Sequence, residues 1–283
     1  MIGVFDSGYG GLNILKTLLQ RLPEYDYLYL GDNARAPYGA RSCEVIYRFT
    51  LQGVRYLFSQ DCALVVLACN TASARALRTI QQRYLAVECK DRRVLGVIRP
   101  SAEALARIPV GEISSEPRFD IAGKVAILGT QETIQSNSFV LELQKLAPRL
   151  EIYQQACPLL APLVEAGEIS GEGPSWFVRK YLAELRIRCD APKRILLACT
   201  HYAALVPIIR QFLPNETEIL TQDEIIAERL KDWLVRHPEQ DIRLGKTGKR
   251  LFLTTDDASD FAAVGRSILG TDIDCKAIRL PGE

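Results

Sequence analysis

Histidine is nearly missing from this 283-residue chain, which has only His201 and His237, and no Cys-x-x-Cys pair occurs anywhere. That leaves no ligand spacing for a structural or catalytic zinc ion, so no metal is expected. No apolar run approaches the roughly 18–20 residues that cross a bilayer, and no membrane partner is expected. The opening Met1-Ile2-Gly3-Val4-Phe5-Asp6 lacks both the basic start and the long apolar stretch of an export signal. A cytoplasmic location follows as the expectation. Charge imbalance is missing too: 35 Lys and Arg stand against 34 Asp and Glu, a net charge of +1. Such a chain has no global attraction for nucleic acid. At most it offers a local basic patch, for example Arg35 with Arg41.

What the chain does have is an ordinary globular balance, 48% hydrophobic and 24% charged, and eight cysteines. Without an export signal these cysteines are expected to be reduced thiols. Cys43, Cys62, Cys89, Cys157, Cys189 and Cys275 read as structural, most of them small buried hydrophobes.

Short apolar, largely β-branched runs alternate with longer amphipathic ones. Strands are expected at residues 2–5, 27–30, 64–67, 94–97, 125–128, 152–154, 195–197, 218–220 and 251–253. Helices are expected at 12–22, 44–58, 72–84, 133–146, 175–185, 202–212, 224–235 and 258–269, where apolar residues recur every three or four positions. This alternation predicts an α/β fold with mainly parallel sheets flanked by helices, and ligands at the carboxyl ends of the strands. Residues 107–123 break the rhythm with two prolines, two glycines and three acidic residues, as a surface excursion or hinge-proximal loop would.

An internal repeat sharpens this picture. Val65-Val66-Leu67-Ala68-Cys69-Asn70-Thr71-Ala72 parallels Ile195-Leu196-Leu197-Ala198-Cys199-Thr200-His201-Tyr202. Both read apolar strand, Ala-Cys, two polar residues, helix. Two pseudo-symmetric domains follow, each delivering one cysteine to a shared cleft. A thiol between a strand and a helix N-terminus meets unpaired N–H groups, which lower its pKa. A single Ala-Cys turn would read as a packed core cysteine; the duplication turns Cys69 and Cys199 into candidate functional thiols.

Other loops fall at the same strand ends. Asp6-Ser7-Gly8-Tyr9-Gly10-Gly11 follows the first strand. It could hold an anion on its N–H groups, or be a tight turn in which Asp6 or Ser7 caps a helix. The pattern is not that of a dinucleotide site. In the loop that runs from Gly31 to Gly39, Tyr38-Gly39 offers a hydroxyl and backbone N–H groups; a plain surface loop is the alternative. His201 adjoins the second cysteine, where it could assist a thiol or bind an anion. Glu165, after Ala156-Cys157-Pro158, reads equally as a solvated carboxylate or one supporting a site. Thr130 and Thr133, in Gly129-Thr130-Gln131-Glu132-Thr133, read as helix caps rather than ligands.

Taken in order, Phe5-Asp6-Ser7-Gly8-Tyr9-Gly10-Gly11, Gly31-Asp32 with Pro37-Tyr38-Gly39, Ala68-Cys69-Asn70-Thr71-Ala72 and Cys199-Thr200-His201-Tyr202 resemble the glutamate racemases. The tail Leu251-Phe252-Leu253-Thr254-Thr255-Asp256-Asp257 with Phe261 and Leu269-Gly270 resembles the end of the same family. The resemblance spans nearly the whole chain. It implies a first, discontinuous domain of 1–97 plus 221–283, a second of 98–220, and a substrate enclosed between them. It further implies interconversion of L- and D-glutamate without pyridoxal phosphate or any other cofactor, supplying D-glutamate for peptidoglycan. Cys69 and Cys199 would be the acid/base thiols on opposite faces of the substrate. Asp6, Ser7, Tyr38, Gly39, Asn70, Thr71, Thr200 and His201 would contact substrate or tune the thiols, and Glu165 would match the family's acidic residue after Cys-Pro.

The chain departs from the family at Ala198 and Ala203, where Gly and Pro are usual, and at Thr221-Gln222-Asp223, where Asp-Ser-Gly is frequent. The excursion at 107–123 is longer than usual. Beginning at the first strand, the chain lacks the extension of members activated by a peptidoglycan precursor, and that activation is not expected. The alternatives are a racemase of aspartate or a related amino acid, and a catalytically silent binding or regulatory relative. A thiol redox enzyme is disfavoured by the distant, unpaired cysteines. A homodimer is the commonest assembly for such a chain.

Overall fold

A computed structural model describes residues 1–112 and 116–281. Among them the strands form two sheets in which every pairing is parallel. The first sheet runs in the order β10-β9-β2-β1-β3-β4: Cys275–Ala277, Arg250–Thr254, Tyr27–Gly31, Ile2–Asp6, Leu64–Leu67 and Arg93–Gly96. The second runs β6-β5-β7-β8: Arg149–Ala156, Ala122–Gly129, Arg194–Ala198 and Glu218–Leu220. The order 2-1-3-4 in one sheet is repeated as 6-5-7-8 in the other, so the internal repeat of the sequence is a repeat of topology. β9 and β10 extend the first sheet beyond the repeated unit.

Central strands carry the apolar runs because helices cover both of their faces. β1 is buried at all five positions, between β2 and β3. Each sheet is sandwiched by two apolar clusters. For the first, Leu12, Leu15, Leu18 and Phe252 lie on one face and Phe5, Val54, Leu57 and Leu67 on the other. For the second, Leu182, Leu197 and Tyr202 oppose Ile127, Phe139 and Leu196.

Local chemistry sets the helix ends. Ser42 accepts from the Val45 N–H at the start of Cys43–Ser59, and Asp257 accepts from the Ser259 and Asp260 N–H groups at the start of Ala258–Leu269. Gly270, left-handed at φ 80°, closes that last helix.

Three of the expected helices are broken. The stretch expected at 72–84 begins as Asn70–Arg75 and passes through a π-helical turn at Ile80–Leu85. The wider turn lets Tyr84 and Leu85 both face the core below Ile80. The stretch expected at 133–146 is interrupted by Asn137, left-handed at φ 54°, a conformation that asparagine tolerates. The stretch expected at 202–212 is a 3₁₀ segment, Thr200–Leu205, before the helix Val206–Gln211. Pro207, with no N–H to give, sits at the start of that helix.

Two helices absent from the sequence-based reading link or position the halves. Ile98–Leu105 follows β4, and Leu160–Glu165 carries Glu165. Residues 113–115 of the excursion lie outside the described residues; its flanks are tied by Arg118 to Glu112 and Asp120. No helix is long and apolar enough to cross a membrane among the described residues.

The chain passes from the first sheet to the second through the Ile98–Leu105 helix and returns through Gln222–Arg236. Each connecting helix packs with the unit that the chain enters through it: Ile98–Leu105 against Ser138–Leu146, and Gln222–Arg236 against Gly11–Arg21.

Gly53 in the Cys43–Ser59 helix lies against the Phe5 ring so closely that a Cβ there would fall inside the ring's van der Waals envelope. Gly53→Ala is expected to cost about 1–3 kcal/mol by overpacking. A urea titration should show a lower midpoint at an unchanged slope.

Candidate active site

The carboxyl ends of the two sheets face each other, and the polar residues singled out in the sequence gather there. Asp6 ends β1, Cys69 follows β3 and Cys199 follows β7. Contacts cross the seam directly. The Thr200 hydroxyl donates to Asp6 Oδ1 at 3.5 Å. Thr71 Oγ1 lies 3.0 Å from Thr130 Oγ1 and 3.3 Å from Thr133 Oγ1. Gly39 is pressed on Thr130 and Gly10 on Thr200, where a Cβ on either glycine would collide with the threonine.

Cys69 is at the N-cap of Asn70–Arg75, and its sulfur accepts from the Ala72 N–H at 3.5 Å. Ser7 Oγ lies 3.3 Å from the same sulfur. A lowered pKa was expected for such a thiol; the structure gives the reverse. Burial pushes it up to about 12, and the negative charges of Asp6 and Cys199 add to that. The Ser7 and Ala72 hydrogen bonds pull the other way and lose. A helix of six residues has too little dipole to offset full desolvation. Cys69 is a thiol at neutral pH.

Cys199 has a different neighbourhood. It opens a 3₁₀ segment rather than an α-helix. Its sulfur lies 3.6 Å from His201 Nδ1, and His201 Nε2 lies 3.0 Å from Glu165 Oε1. That last contact is out of line for a hydrogen bond and acts as a pair of charges. Desolvation disfavours the imidazolium, but the Cys199 sulfur and the Glu165 carboxylate outweigh it and hold His201 well above its ordinary 6.5. Asp6 is also raised, by burial first, against the opposing pull of His201 and the N–H groups of Gly8 and Gly11. The N-cap position of Gly11–Arg21 is Gly10, but Asp6 takes the N–H of Gly11, the first helical residue, together with that of Gly8 at 3.0 Å, while Ser7 faces Cys69.

Tyr38 is buried, and its hydroxyl donates to Asp32. Asp32 also accepts from Arg35 Nε and the Thr255 hydroxyl. The Tyr38 hydroxyl is therefore committed within the fold, and Arg35 is ion-paired with Asp32 rather than part of an open basic patch. Asn70, expected to cap or bind, joins its carboxamide to that of Gln222. Thr130 caps its helix by accepting from the Thr133 N–H, as expected, yet it also reaches Thr71 across the seam. Asp32 and Gln222, which hold Tyr38 and Asn70, were not among the expected site residues.

No group of three or more His, Cys, Asp and Glu side chains placed to hold a metal ion occurs among the described residues. The space between Gly10, Asn13, Cys199, Thr200 and Gln222 is only about 10 Å³, room for roughly one water. A much larger cavity of about 550 Å³ lies behind the seam, lined by Leu77, Arg99, Glu142, Leu230 and Trp233. It holds neither cysteine.

Because the folded pKa of Cys69 exceeds its ordinary 9.0, its contribution to stability is intact below pH 9. It is lost as pH rises towards about 12. Thermal unfolding should therefore fall less steeply over that window in Cys69→Ala than in the parent protein. Identical slopes would refute the burial of a protonated thiol.

No sequence-family model matches the chain. Whole-length relatives do. The glutamate racemase of Dinoroseobacter shibae is 37% identical over 278 residues, 98% of both chains. That of Cereibacter sphaeroides is 39% identical over 257 residues, 90% of this chain and 92% of the relative. Among solved structures, the glutamate racemase of Francisella tularensis in complex with D-glutamate superposes with a TM-score of 0.84 at 28% identity. The match covers 100% of this chain and 98% of that one. The Thermus thermophilus enzyme in complex with beta-chloro-D-alanine gives 0.77 at 30% identity, over 99% and 96%. Two parallel sheets meeting at their carboxyl ends, and identity sustained along the whole chain, place this protein in the glutamate racemase family of amino-acid isomerases.

Proposed function

We propose that the protein interconverts L- and D-glutamate by moving the α-proton between Cys69 and Cys199, with no cofactor, and so supplies D-glutamate for peptidoglycan. One observation carries this reading. The two cysteines stand at the ends of topologically equivalent strands, β3 and β7, and meet across one buried seam. Racemisation must take a proton from one face of a carbon and return one to the other. Two carriers on opposite faces do this without any group swinging across.

The surroundings suit unequal starting roles. Cys69, held as a thiol, is the proton donor, and Cys199, beside the His201 imidazolium and its Glu165 partner, is the acceptor. The Cys199 thiolate takes the α-proton, the carbanion forms, and the Cys69 thiol delivers its proton to the opposite face. The cycle ends with Cys199 as thiol and Cys69 as thiolate. The reverse reaction starts from that form.

The α-proton is weakly acidic, so the developing charge needs fixed dipoles in a water-poor site. Ser7, Thr71 and Thr200 with the N–H groups around Gly39 and Asn70 are the donors for the substrate carboxylates. Asp6, next to Cys69, would meet the ammonium. The space beside Cys199 holds about one water, which supports a cycle in which the two halves part to admit substrate and close again. The moving units are 1–97 with 221–283, and 98–220. Packing of each connecting helix inside its own unit, Ile98–Leu105 on Ser138–Leu146 and Gln222–Arg236 on Gly11–Arg21, supports that division.

The test is incubation with L-glutamate in deuterated water, without pyridoxal phosphate or metal, followed by circular dichroism and mass spectrometry. Optical activity should decay with uptake of α-deuterium, and L-aspartate should stay unchanged. Cys69→Ser and Cys199→Ser should each lower kcat by about 10²–10⁴ with the fold retained. A fully active Cys69→Ser would sink the two-thiol mechanism, and turnover of aspartate instead would move the substrate.

A further inference from the structure

Gln222 is the first residue of the Gln222–Arg236 helix and is almost completely buried. Its carboxamide is fully engaged. Nε2 donates to Ser101 Oγ at 2.8 Å and to Asn70 Oδ1 at 3.0 Å, while Oε1 accepts from Asn70 Nδ2 at 2.5 Å. The Ser101 hydroxyl donates to the Val97 carbonyl at 2.6 Å.

The direction of this network is fixed from one end. A carbonyl can only accept, so the Ser101 proton points to Val97. Ser101 Oγ must then receive a proton, which only the amide nitrogen of Gln222 can give. Oε1 is thereby turned to Asn70, which must present its own nitrogen. The Asn70 carboxamide is held in one orientation by a chain of bonds anchored on backbone.

The anchor points are informative. Ser101 lies on the helix by which the chain leaves the first sheet, and Gln222 starts the helix by which it returns. Asn70 follows Cys69 directly and precedes Thr71. Gln222 also lines the small space that contains Cys199 and Thr200. One side chain thus joins both connecting helices to the residue behind the first thiol.

We infer that Gln222 is a positioning residue for the racemisation: it fixes the Asn70 carboxamide, and with it the turn that carries Cys69, from the crossing of the two connecting helices. The inference rests on the proposed role of Asn70 at the substrate. Gln222 touches no reacting atom and acts only through its neighbour. A misplacement of about 1 Å in such a residue can cost around a hundredfold in rate.

Steady-state kinetics of Asn70→Ala, Gln222→Met and the double variant test this, with thermal unfolding measured alongside. Each single change should lower kcat/KM for glutamate by about ten- to a hundredfold. Losses should be the same for the L and D isomers, as equilibrium requires. The double variant should be no worse than Asn70→Ala alone, because Gln222 has nothing left to position. A structural residue would instead add its loss to that of Asn70. Additive losses, or a Gln222→Met variant with normal kcat/KM beside an impaired Asn70→Ala, would overturn the inference. A normal Asn70→Ala would remove the proposed role of Asn70, and with it the footing of this inference. If Gln222→Met does not fold, Ser101→Ala decides: freed of its anchor, the amide pair should raise KM about three- to tenfold, and an unchanged KM overturns the proposal.

Discussion

Where the carboxyl edges of the two sheets meet there is little room for water, and the polar groups there are satisfied by other protein groups, several of them across the seam. That constraint organises the site. Thr71 reaches Thr130, Thr200 reaches Asp6, and Gln222 reaches both Asn70 and Ser101. The same dryness pushes the Cys69 thiol up while it makes the charges of Glu165 and His201 count strongly. A wetter seam would weaken both effects, and with them the contrast between the two sulfurs.

That contrast arises from an almost symmetric scaffold. Strands 2-1-3-4 and 6-5-7-8 repeat one topology, yet the turn after β3 starts an α-helix and the turn after β7 a 3₁₀ segment. One sulfur receives a serine and a backbone N–H, the other an imidazole backed by a carboxylate. The fold delivers equivalent positions, and local sequence makes them chemically unequal.

Much of this was legible in the sequence because the signals were local. Alternating apolar and amphipathic stretches placed nine of the ten described strands and most helices, missing only the short edge strand Cys275–Ala277, and the repeated Ala-Cys turn marked the two ends of the seam. What escaped depended on contacts between distant segments. The shift of Cys69 came from burial that no local pattern reveals, so its helix N-terminus misled. The commitment of the Tyr38 hydroxyl to Asp32 required the cradle that also includes Arg35 and Thr255. Gln222 appeared in the sequence only as a departure from a common loop, and its meaning came from Asn70 and Ser101.

The strand order of the first sheet also orders the birth of the molecule. β9 and β10, which cover the outer edge of β2, are encoded after the whole of the second sheet. A chain emerging from the ribosome therefore displays an open parallel edge at β2 for as long as residues 32 to 249 are being made. The uninterrupted second sheet can close first, in the usual unit-by-unit manner. The first half stays unfinished, its β2 edge free to pair with another nascent chain, until its last two strands arrive.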